Sequence, residues 1–435
     1  MTKTMSRVFI SGMGCVNASG HNSQEFFENY KSLKSGIKIY DKFKDNNLGP
    51  AALINDFNPQ LNHPLITNST THNLAHTFQA ISEAIQQSKL NDEQLTKAAL
   101  SFGVGLALSP KQLVRICVAM PQQANEDRFE NPNLLGYNNN LKKLKKLYQQ
   151  NDQTSIREFL DSSSTHIINS TKEWLKTTKP LRNITNLCVS SAQAIGEAYY
   201  DIADGVEDLV IAGGSETFSS NMCLFFHKLG IYSKSHDANN SCIPFDVNRK
   251  GLVHGEGSSY FILESEAHLK ARGGTPLFEL KSYFSNNNLH HMVNSPPSGL
   301  GLKNCMNQAI KQAGLKPEEI DLVVAHGTGT IVNDHSESHA ISKLFDHDIL
   351  VHSNKSCLGH TYAAAGAMNL LTACLELQHQ YCLPTLNLKH PDPDCPVQHV
   401  NSQGEKKELN HIITNAAGFG GINSSLIVSK VTQAL

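Results

Sequence analysis

The stretch Thr185-Asn186-Leu187-Cys188-Val189-Ser190-Ser191-Ala192-Gln193-Ala194-Ile195-Gly196-Glu197-Ala198 contains one thiol between two different local patterns. The residues before Cys188 form a short, partly apolar segment, and the residues after it are small, with apolar positions at helical spacing. This pattern predicts a strand that leads into a helix, with Cys188 at the turn. The free N–H groups and the positive dipole end of a helix start favour a thiolate, so Cys188 is a candidate nucleophile. On this stretch alone, a buried and inert cysteine is the alternative.

Strands and helices alternate along the rest of the chain. The predicted strands are 7–12, 99–108, 208–216, 259–264, 277–284, 320–326, 350–353, 411–416 and 424–429. The predicted helices are 22–34, 72–89, 265–272, 301–313, 336–344 and 363–379. Such alternation indicates an α/β architecture with largely parallel or mixed sheets. The second series, from residue 277, repeats the order of the first, which suggests two related halves that divide near residue 265.

The composition argues against several classes of protein. A chain of 435 residues, 40% hydrophobic, can form one large domain or two fused ones. Its formal charge of −2 gives no field that would attract nucleic acid. The ten cysteines are scattered without a C-x-x-C motif, which favours reduced thiols over disulfides or a zinc site. Because the chain lacks a signal peptide and any run near the roughly 18 apolar residues of a membrane span, we predict a soluble cytoplasmic protein.

Residues 109–180 differ from the rest of the chain and are predicted to contain an insertion. Residues 131–153 are rich in Asn, Lys and Gln, and 141–147 form a basic stripe at helical spacing. This stripe is either a solvated helix face or a docking face for an acidic partner or a second subunit.

Three further stretches carry imidazole, ammonium or glycine-rich groups. They are Ala325-His326-Gly327-Thr328-Gly329-Thr330, Asn354-Lys355-Ser356-Cys357-Leu358-Gly359-His360 and Gly418-Phe419-Gly420-Gly421-Ile422-Asn423. Singly, His326 could be a strand-end hydrogen-bonder, His360 a helix cap and Phe419 a packing residue. Together they suit a thiolate that attacks a thioester while backbone N–H groups of a glycine-rich loop hold the oxyanion. If a second substrate is decarboxylated, two neutral imidazoles would stabilise the enolate, and Lys355 would supply positive charge.

These motifs resemble those of the β-ketoacyl-acyl carrier protein synthases, the elongating condensing enzymes of the thiolase superfamily. Cys188 matches the nucleophile motif, and His326 in H-G-T-G-T matches the first catalytic histidine. Lys355 and His360 in N-K-S-x-x-G-H match the lysine and the second histidine, and 418–421 matches the gating loop. The Gly-Gly-Ser-Glu, Gly-Glu-Gly and Pro-Thr-Leu-Asn strings at 213–216, 255–257 and 384–387 also fit. The resemblance is dense from about residue 180 onward and thin before it.

The resemblance implies a thiolase-like α/β fold of two related halves in five layers, αβαβα. Residues 1–264 would carry the nucleophile and the insertion, and 265–435 the two histidines, the lysine and the gating loop. Its implied catalytic residues are Cys188, His326, His360 and Lys355; its oxyanion and gating residues are Phe419 and Gly420; its site-organising residues are Asp334 and Glu337, with Glu337 paired to the lysine.

The resemblance also implies a reaction and its partners. An acyl group moves from an acyl carrier protein to Cys188, malonyl-carrier protein loses CO2, and the carbanion attacks the acyl thioester to give a β-ketoacyl product. No metal or redox cofactor is required, because the phosphopantetheine arm arrives with the carrier protein. Carrier proteins are acidic, so Lys228, Lys234, Arg249, Lys250 and the lysines of 142–146 are candidate docking cations. A homodimer or a heterodimer with a related subunit is expected.

Two alternatives remain open at this stage. One is a condensing-fold subunit that mainly shapes an acyl tunnel shared with a partner; the other is a cysteine hydrolase, which has no use for two histidines and a lysine. The chain also departs from the family pattern at Asn186-Leu187, where Thr-Ala is usual, and at Ala416-Ala417, where a serine normally follows the asparagine. Together with 109–180, these departures leave the acyl chain that the enzyme prefers open.

Overall fold

A computed structural model of the chain describes residues 5–40, 49–55, 57–58, 72–105 and 164–432. The strands are β1 (Val8–Asn17), β2 (Ala51–Ala52), β3 (Ala99–Val104), β4 (Leu181–Ile184), β5 (Leu209–Glu216), β6 (His254–Gly255), β7 (Gly257–Ser265), β8 (Phe278–Asn287), β9 (Leu322–Val324), β10 (Leu350–His352), β11 (Tyr381–Cys382), β12 (Gln398–His399), β13 (Glu405–Lys406), β14 (His411–Gly418) and β15 (Ile422–Lys430). The α-helices are α1 (Ser23–Lys31), α2 (His72–Ser88), α3 (Asp92–Leu95), α4 (Ser164–Leu175), α5 (Ser190–Ala203), α6 (Ser220–Lys228), α7 (Glu266–Arg272), α8 (Leu300–Gln312), α9 (Ile331–Ser342), α10 (Lys355–Leu358) and α11 (Ala365–His379).

Eleven of these strands form one continuous sheet that contains the same topology twice. Its order is β12-β10-β9-β14-β15-β8-β1-β7-β5-β3-β4. Numbered within each half along the chain, β1, β3, β4, β5 and β7 lie in the order 3-2-4-5-1, and so do β8, β9, β10, β14 and β15. In both halves the fifth strand is antiparallel to its two neighbours and the other pairs are parallel. The predicted pair of related α/β halves is therefore present.

Helices α5 and α11 form a central layer between the two halves of the sheet. Residues alternate along the strands, so that Val210 and Ala212 pack into the central core, whereas Leu209 and Ile211 pack into a second core beneath α2 and α4. In the other half, Ile412 faces the central core, and its neighbour in sequence faces a third core beneath α8 and α9. The layers follow the order helix, sheet, helix, sheet, helix, as expected for the predicted five-layer fold.

The predicted elements agree with the structure apart from their ends. Strand β1 extends past the predicted end at residue 12 because it pairs with β7 as far as Asn17. Strand β9 is shorter than predicted, and α9 begins earlier than the predicted residue 336. Strand β3 lies next to the edge of the sheet and is fully buried.

Two predictions on the organisation of the chain remain untested. The first set of strands ends at β7 and the second begins at β8, but the division into domains at residue 264 stays a prediction. Most of the predicted insertion at 109–180, including the basic stripe 141–147, lies outside the described residues. The described part of that region contains α4 and the start of the chain segment that leads to β4.

Candidate active site

Cys188 lies in a tight connection between a strand and a helix. Strand β4 ends at Ile184, a 3₁₀ turn covers Leu187–Val189, and α5 begins at Ser190. Leu187 has a φ of 53°, and the Ser190 hydroxyl fastens the turn by accepting from the Asn186 N–H at 2.8 Å and donating to the Leu187 carbonyl at 2.7 Å. The predicted strand–turn–helix arrangement is confirmed, with a 3₁₀ turn between the strand and the helix.

Gly103 in β3 allows the helix start to approach the sheet. A Cβ on this glycine would lie only 2.3 Å from the backbone nitrogen of Ser191. Any larger residue would push α5 away from β3, and the thiol would move with it. The position of Cys188 therefore depends on a small residue far from it in sequence.

The two histidines meet beside this thiol, on one cavity. His326 follows β9, His360 follows α10, and the centroids of their rings are 5.1 Å apart at an interplanar angle of 80°. Both side chains are buried, and both line a cavity of about 320 Å³ together with Cys188 and Phe419. The fold thus brings together four predicted residues that are far apart in sequence.

The hydrogen bonding of His360 fixes its tautomer. Its Nδ1 accepts a hydrogen bond from the backbone N–H of Tyr362 at 3.2 Å, so the neutral ring carries its proton on Nε2. Burial, followed by the charge of Lys355, holds the pKa of both His326 and His360 well below the ordinary value. Both rings are therefore neutral near pH 7.

Lys355 supplies the buried positive charge near these groups. Its ammonium makes no hydrogen bond to any residue in the described part of the chain. Burial lowers its pKa to about 8, and the Glu337 carboxylate is the largest opposing influence. Burial raises the pKa of the Cys188 thiol to about 12, and Lys355 acts against that rise. The resting side chain is a thiol, because burial outweighs the helix start that was expected to favour a thiolate.

Glu337 does not form the predicted direct pair with Lys355. Its two carboxylate oxygens accept the backbone N–H groups of His326 at 2.8 Å and Gly327 at 2.7 Å, and the amide of Asn415 donates at 3.2 Å. The three donors occupy the carboxylate, so its effect on the lysine is electrostatic at longer range. Glu337 fixes the backbone that carries His326.

Asp334 holds the next part of the same loop. Its carboxylate accepts the backbone N–H groups of Thr328 at 2.9 Å, Gly329 at 3.1 Å and Phe245 at 2.9 Å. The guanidinium of Arg249 lies 3.8 Å from it. Both predicted site-organising residues therefore act on the loop that follows β9.

The loop between β14 and β15 covers the thiol from the other side. Phe419 is half-buried, and its ring centroid is 5.9 Å from that of Phe226. The N–H of Gly420 donates to the Met292 carbonyl at 2.7 Å. This N–H is therefore not available to an oxyanion, in contrast to the prediction for Gly420. A Cβ on Gly418, the last residue of β14, would lie 3.8 Å from the backbone nitrogen of Cys188, so the start of this loop lies beside Cys188.

The predicted docking cations divide into two kinds. Lys228, Lys234 and Lys250 are exposed, and Lys250 lies at the cavity. Arg249 is 7% exposed, and its guanidinium contacts Asp392 at 2.5 Å as well as Asp334. The prediction that Arg249 belongs to a surface docking patch is therefore wrong. Arg249 is a buried cation paired with carboxylates, and its neighbour in sequence, Lys250, is the exposed one.

Replacement of Arg249 is expected to destabilise the fold. Arg249→Ala leaves the buried Asp334 carboxylate without its cation, and removing one partner of a buried ion pair costs about 3–5 kcal/mol. Chemical denaturation would measure this loss. The neighbouring Lys250→Ala serves as the control and should change the free energy of unfolding by less than about 0.5 kcal/mol. Equal stabilities of the two variants would contradict the structural role of Arg249.

Two residues near the site were not predicted from the sequence. Glu216 is buried, its pKa is raised to about 8 by burial, and its charge opposes ionisation of Cys188. Tyr362 lines the cavity two residues after His360. Glu216 was noted only as part of a matching string, and no pattern in the sequence marks Tyr362.

A thiol, two neutral imidazoles and a buried ammonium in a fold of two repeated halves define a condensing enzyme of the thiolase type. Family profiles agree with this class: "Beta-ketoacyl synthase, N-terminal domain" matches residues 5–268, and "Beta-ketoacyl synthase, C-terminal domain" matches residues 277–389. The chain belongs to the beta-ketoacyl synthase family. The predicted family, fold and class of enzyme are confirmed.

Individual proteins show the same relationship over nearly the whole chain. The 3-oxoacyl-[acyl-carrier-protein] synthase 2 of Coxiella burnetii is 26% identical over 98% of this chain and 99% of its own length. A beta-ketoacyl synthase from Burkholderia phymatum superposes with a TM-score of 0.84 at 26% identity, covering 98% of this chain and 100% of that one. A type II polyketide synthase ketosynthase, solved in complex with its acyl-carrier protein and bound to a hexaketide, gives a TM-score of 0.81 at 26% identity, with coverage of 98% and 100%.

Two features are absent from the described residues. None of their helices is long and apolar enough to cross a membrane. Within the same ranges, no three His, Cys, Asp or Glu side chains are grouped so that they could hold a metal ion. The cytoplasmic location and the lack of any cofactor requirement stay predictions.

Proposed function

We propose that this chain joins an acyl group held on Cys188 to the malonyl group of an acyl carrier protein by decarboxylative Claisen condensation. The observation that carries this proposal is the meeting of Cys188, His326 and His360 on one cavity, with the charge of Lys355 nearby. A cysteine hydrolase would need one base for one thiol, whereas a pair of neutral imidazole donors suits a reaction with an enolate.

The first step loads the enzyme. The Cys188 sulfur attacks the carbonyl of an acyl-carrier thioester, the bond to the pantetheine sulfur breaks, and the thiol proton passes to that departing sulfur. The positive charge of Lys355 stabilises the negative charge that develops on the Cys188 sulfur during the attack. The backbone N–H groups of Cys188 and Phe419 are the proposed oxyanion donors, because the loop beside Gly418 adjoins the backbone of the nucleophile.

The second step forms the carbon–carbon bond. Malonyl-carrier protein loses CO2, and the electron pair left behind forms an enolate whose oxygen accepts hydrogen bonds from His326 and from the Nε2–H of His360. The enolate carbon then attacks the acyl carbonyl on Cys188. The carbon–sulfur bond breaks, β-ketoacyl-carrier protein leaves, and the cysteine sulfur takes up a proton.

The carrier protein is proposed to dock at the mouth of the cavity. Exposed Lys228, Lys234 and Lys250 provide positive charge for an acidic partner. Ile331 and Val332 at the start of α9 line the cavity and are 69% and 44% exposed, so they offer an apolar contact at its rim. The related ketosynthase solved with its acyl-carrier protein supports a partner of this kind.

The purified chain alone, with an acyl-carrier protein and malonyl-carrier protein, distinguishes the main proposal from its alternative. Mass spectrometry of the carrier should reveal a β-ketoacyl product if the chain is an autonomous enzyme acting as a homodimer. Product that forms only after a related condensing-fold subunit is added would favour the partner-dependent alternative. Free acid without consumption of malonyl would contradict both and indicate a hydrolase.

The pKa values predict a plateau in the rate of malonyl decarboxylation by the acylated enzyme. The pKa values of His326 and His360 lie well below the ordinary value of 6.5, so both imidazoles stay neutral at pH 6.5. The rate of decarboxylation should therefore stay constant as the pH falls through 6.5. Lys355 loses its charge as pH rises through about 8, and the rate should fall there. Release of CO2 measured against pH tests both limits.

The Lys355→Ala variant is the control for this profile. Its rate should be lower on the plateau, and the decline near pH 8 should be missing because no ammonium remains to titrate. Two results would contradict these assignments. One is a wild-type rate that falls as the pH drops through 6.5, and the other is a decline near pH 8 that is still present in Lys355→Ala.

A further inference from the structure

Two chain segments that carry reacting groups leave the sheet side by side. Strands β9 and β10 are parallel neighbours, and the ladder between them ends with the Ala325 N–H, which donates to the His352 carbonyl at 2.8 Å. Beyond this bond, the segment 326–330 carries the first imidazole, and the segment 353–360 carries the ammonium and the second imidazole. The sheet no longer fixes the distance between the two segments, so other contacts must hold the reacting groups in register.

The hydroxyl of Ser353 joins these two segments. It donates to the Gly327 carbonyl at 2.7 Å and accepts the backbone N–H of Lys355 at 3.3 Å. Among the described residues, no other hydrogen bond runs directly between 326–330 and 353–360. One side chain therefore connects the loop of the first histidine to the start of α10, where the lysine is the first residue.

Gly327 makes this close contact possible. Its φ is 34°, and a Cβ on it would lie 2.7 Å from the Cβ and 2.9 Å from the Oγ of Ser353, so a larger residue would push the segments apart. The N–H of Gly327 donates to Glu337 at 2.7 Å. Glu337 thus ties the glycine to α9 and Ser353 ties it to the turn before α10, which fixes the preceding His326 relative to both.

Ser353 is itself held from several sides. Its backbone N–H donates to the Thr385 hydroxyl at 3.0 Å, and its carbonyl accepts the Ser356 hydroxyl at 2.9 Å. The Tyr30 hydroxyl lies 3.3 Å from the same carbonyl. Ser353 is fully buried, so no substrate contacts it. Any influence on the reaction must pass through the residues that it holds.

We propose that Ser353 is a positioning residue for decarboxylation, whose hydroxyl sets the spacing at which His326 and His360 both donate to one enolate oxygen. This inference rests on the proposed function, since it concerns the enolate formed from malonyl-carrier protein. The two ring centroids are 5.1 Å apart, and a misplacement of about 1 Å can lower a rate about 10²-fold. Acyl loading needs the Cys188 sulfur and neither imidazole, so it should be little affected.

Ser353→Ala separates these two steps. Loading is followed by intact mass after incubation with acyl-carrier protein, and decarboxylation by the release of CO2 from saturating malonyl-carrier protein. We expect loading within about threefold of the wild type and release of CO2 that is ~10- to 100-fold slower. Retained loading also shows that the variant is folded.

Ser356→Ala is the matched control. Ser356 lies in the same turn and is equally buried, and its hydroxyl also donates to one backbone carbonyl, that of Ser353, and accepts one backbone N–H, that of Leu386. Neither partner belongs to the loop of His326. Both variants should lower the melting temperature, by amounts within about 2 °C of each other. Release of CO2 by Ser356→Ala should stay within about threefold of the wild type.

A double variant tests whether Ser353 acts through His326. When His326 is already alanine, adding Ser353→Ala should slow the release of CO2 by less than about a further twofold, because the ring that it positions is missing. A residue that only stabilises the fold would have the same effect in both backgrounds.

Three results would overturn the inference and leave the proposed function intact. They are release of CO2 by Ser353→Ala as fast as by Ser356→Ala, a loss of acyl loading together with decarboxylation, and an undiminished effect in the absence of the His326 ring. A wild type that loads an acyl group but neither releases CO2 nor forms a β-ketoacyl product would refute the proposed function, and the inference with it.

Discussion

Cys188→Ala is expected to abolish acyl loading. The sulfur forms the bond to the acyl group, and no other thiol lines the cavity in the described part of the chain. Loss of a nucleophile typically costs roughly 10⁴-fold or more in rate. Intact mass of the variant after incubation with acyl-carrier protein should therefore show the unmodified chain.

Cys223→Ala is the control for this experiment. Its thiol is fully buried in the hydrophobic cluster against which Cys188 packs, and it faces His254. We expect this variant to gain one acyl group, as the wild type does. Continued loading of Cys188→Ala would contradict the assignment of the nucleophile.

His326→Ala and His360→Ala are expected to load acyl groups and then fail to decarboxylate malonyl-carrier protein. The ring centroids of the two histidines are 5.1 Å apart beside the thiol. Because burial keeps both rings neutral, each can donate a hydrogen bond to the enolate from a neutral N–H. Removal of one oxyanion donor costs about 10²- to 10³-fold. The measurement is the release of CO2 by the acylated variants.

His76→Ala is a matched control for both histidine variants. His76 is also buried, and burial likewise lowers its pKa, to about 3, but it lies on the outer helix α2. We expect its rate of CO2 release to stay within about threefold of the wild type. Decarboxylation at the wild-type rate by both active-site variants would refute their proposed roles.

The alternation of strands and helices was predictable because each element has its own hydrophobic period. The patterns at 208–216 and 411–416 identified strands regardless of what lies next to them, and the structure has strands there at Leu209–Glu216 and His411–Gly418. The ends were less predictable, since β1 continues to Asn17 only because β7 pairs with it along that length. Pairing with a distant strand cannot be deduced from local pattern.

The same contrast between local pattern and distant contacts applies to the candidate site. The residues that meet at the cavity could be predicted from the motifs that contain them, but their hydrogen-bond and ion-pair partners could not. The Glu337 carboxylate accepts the backbone N–H of His326. Arg249 is buried between Asp334 of α9 and Asp392 of the segment between β11 and β12. Gly420 gives its N–H to Met292, which is distant in the chain. Each of these contacts depends on tertiary packing.

Tyr362 illustrates the limit most clearly. It lies two residues after the identified motif that ends at His360, between the small residues Thr361 and Ala363. Its positive φ, its stacking on Phe226 and its hydroxyl, which is unpaired among the described residues, become visible only in the folded chain. Backbone strain and unpaired buried groups are thus harder to predict than residues that belong to a recognisable motif.

A chase experiment tests the central claim, that Cys188 carries the acyl group into the new carbon–carbon bond. The enzyme is loaded from acyl-carrier protein, separated from it, and mixed with malonyl-carrier protein while the peptide that contains Cys188 is followed by mass spectrometry. The acyl group should leave this peptide at the rate at which β-ketoacyl-carrier protein forms, in equal amount. An acyl group found on another residue, or lost from Cys188 as free acid without a condensed product, would contradict the claim.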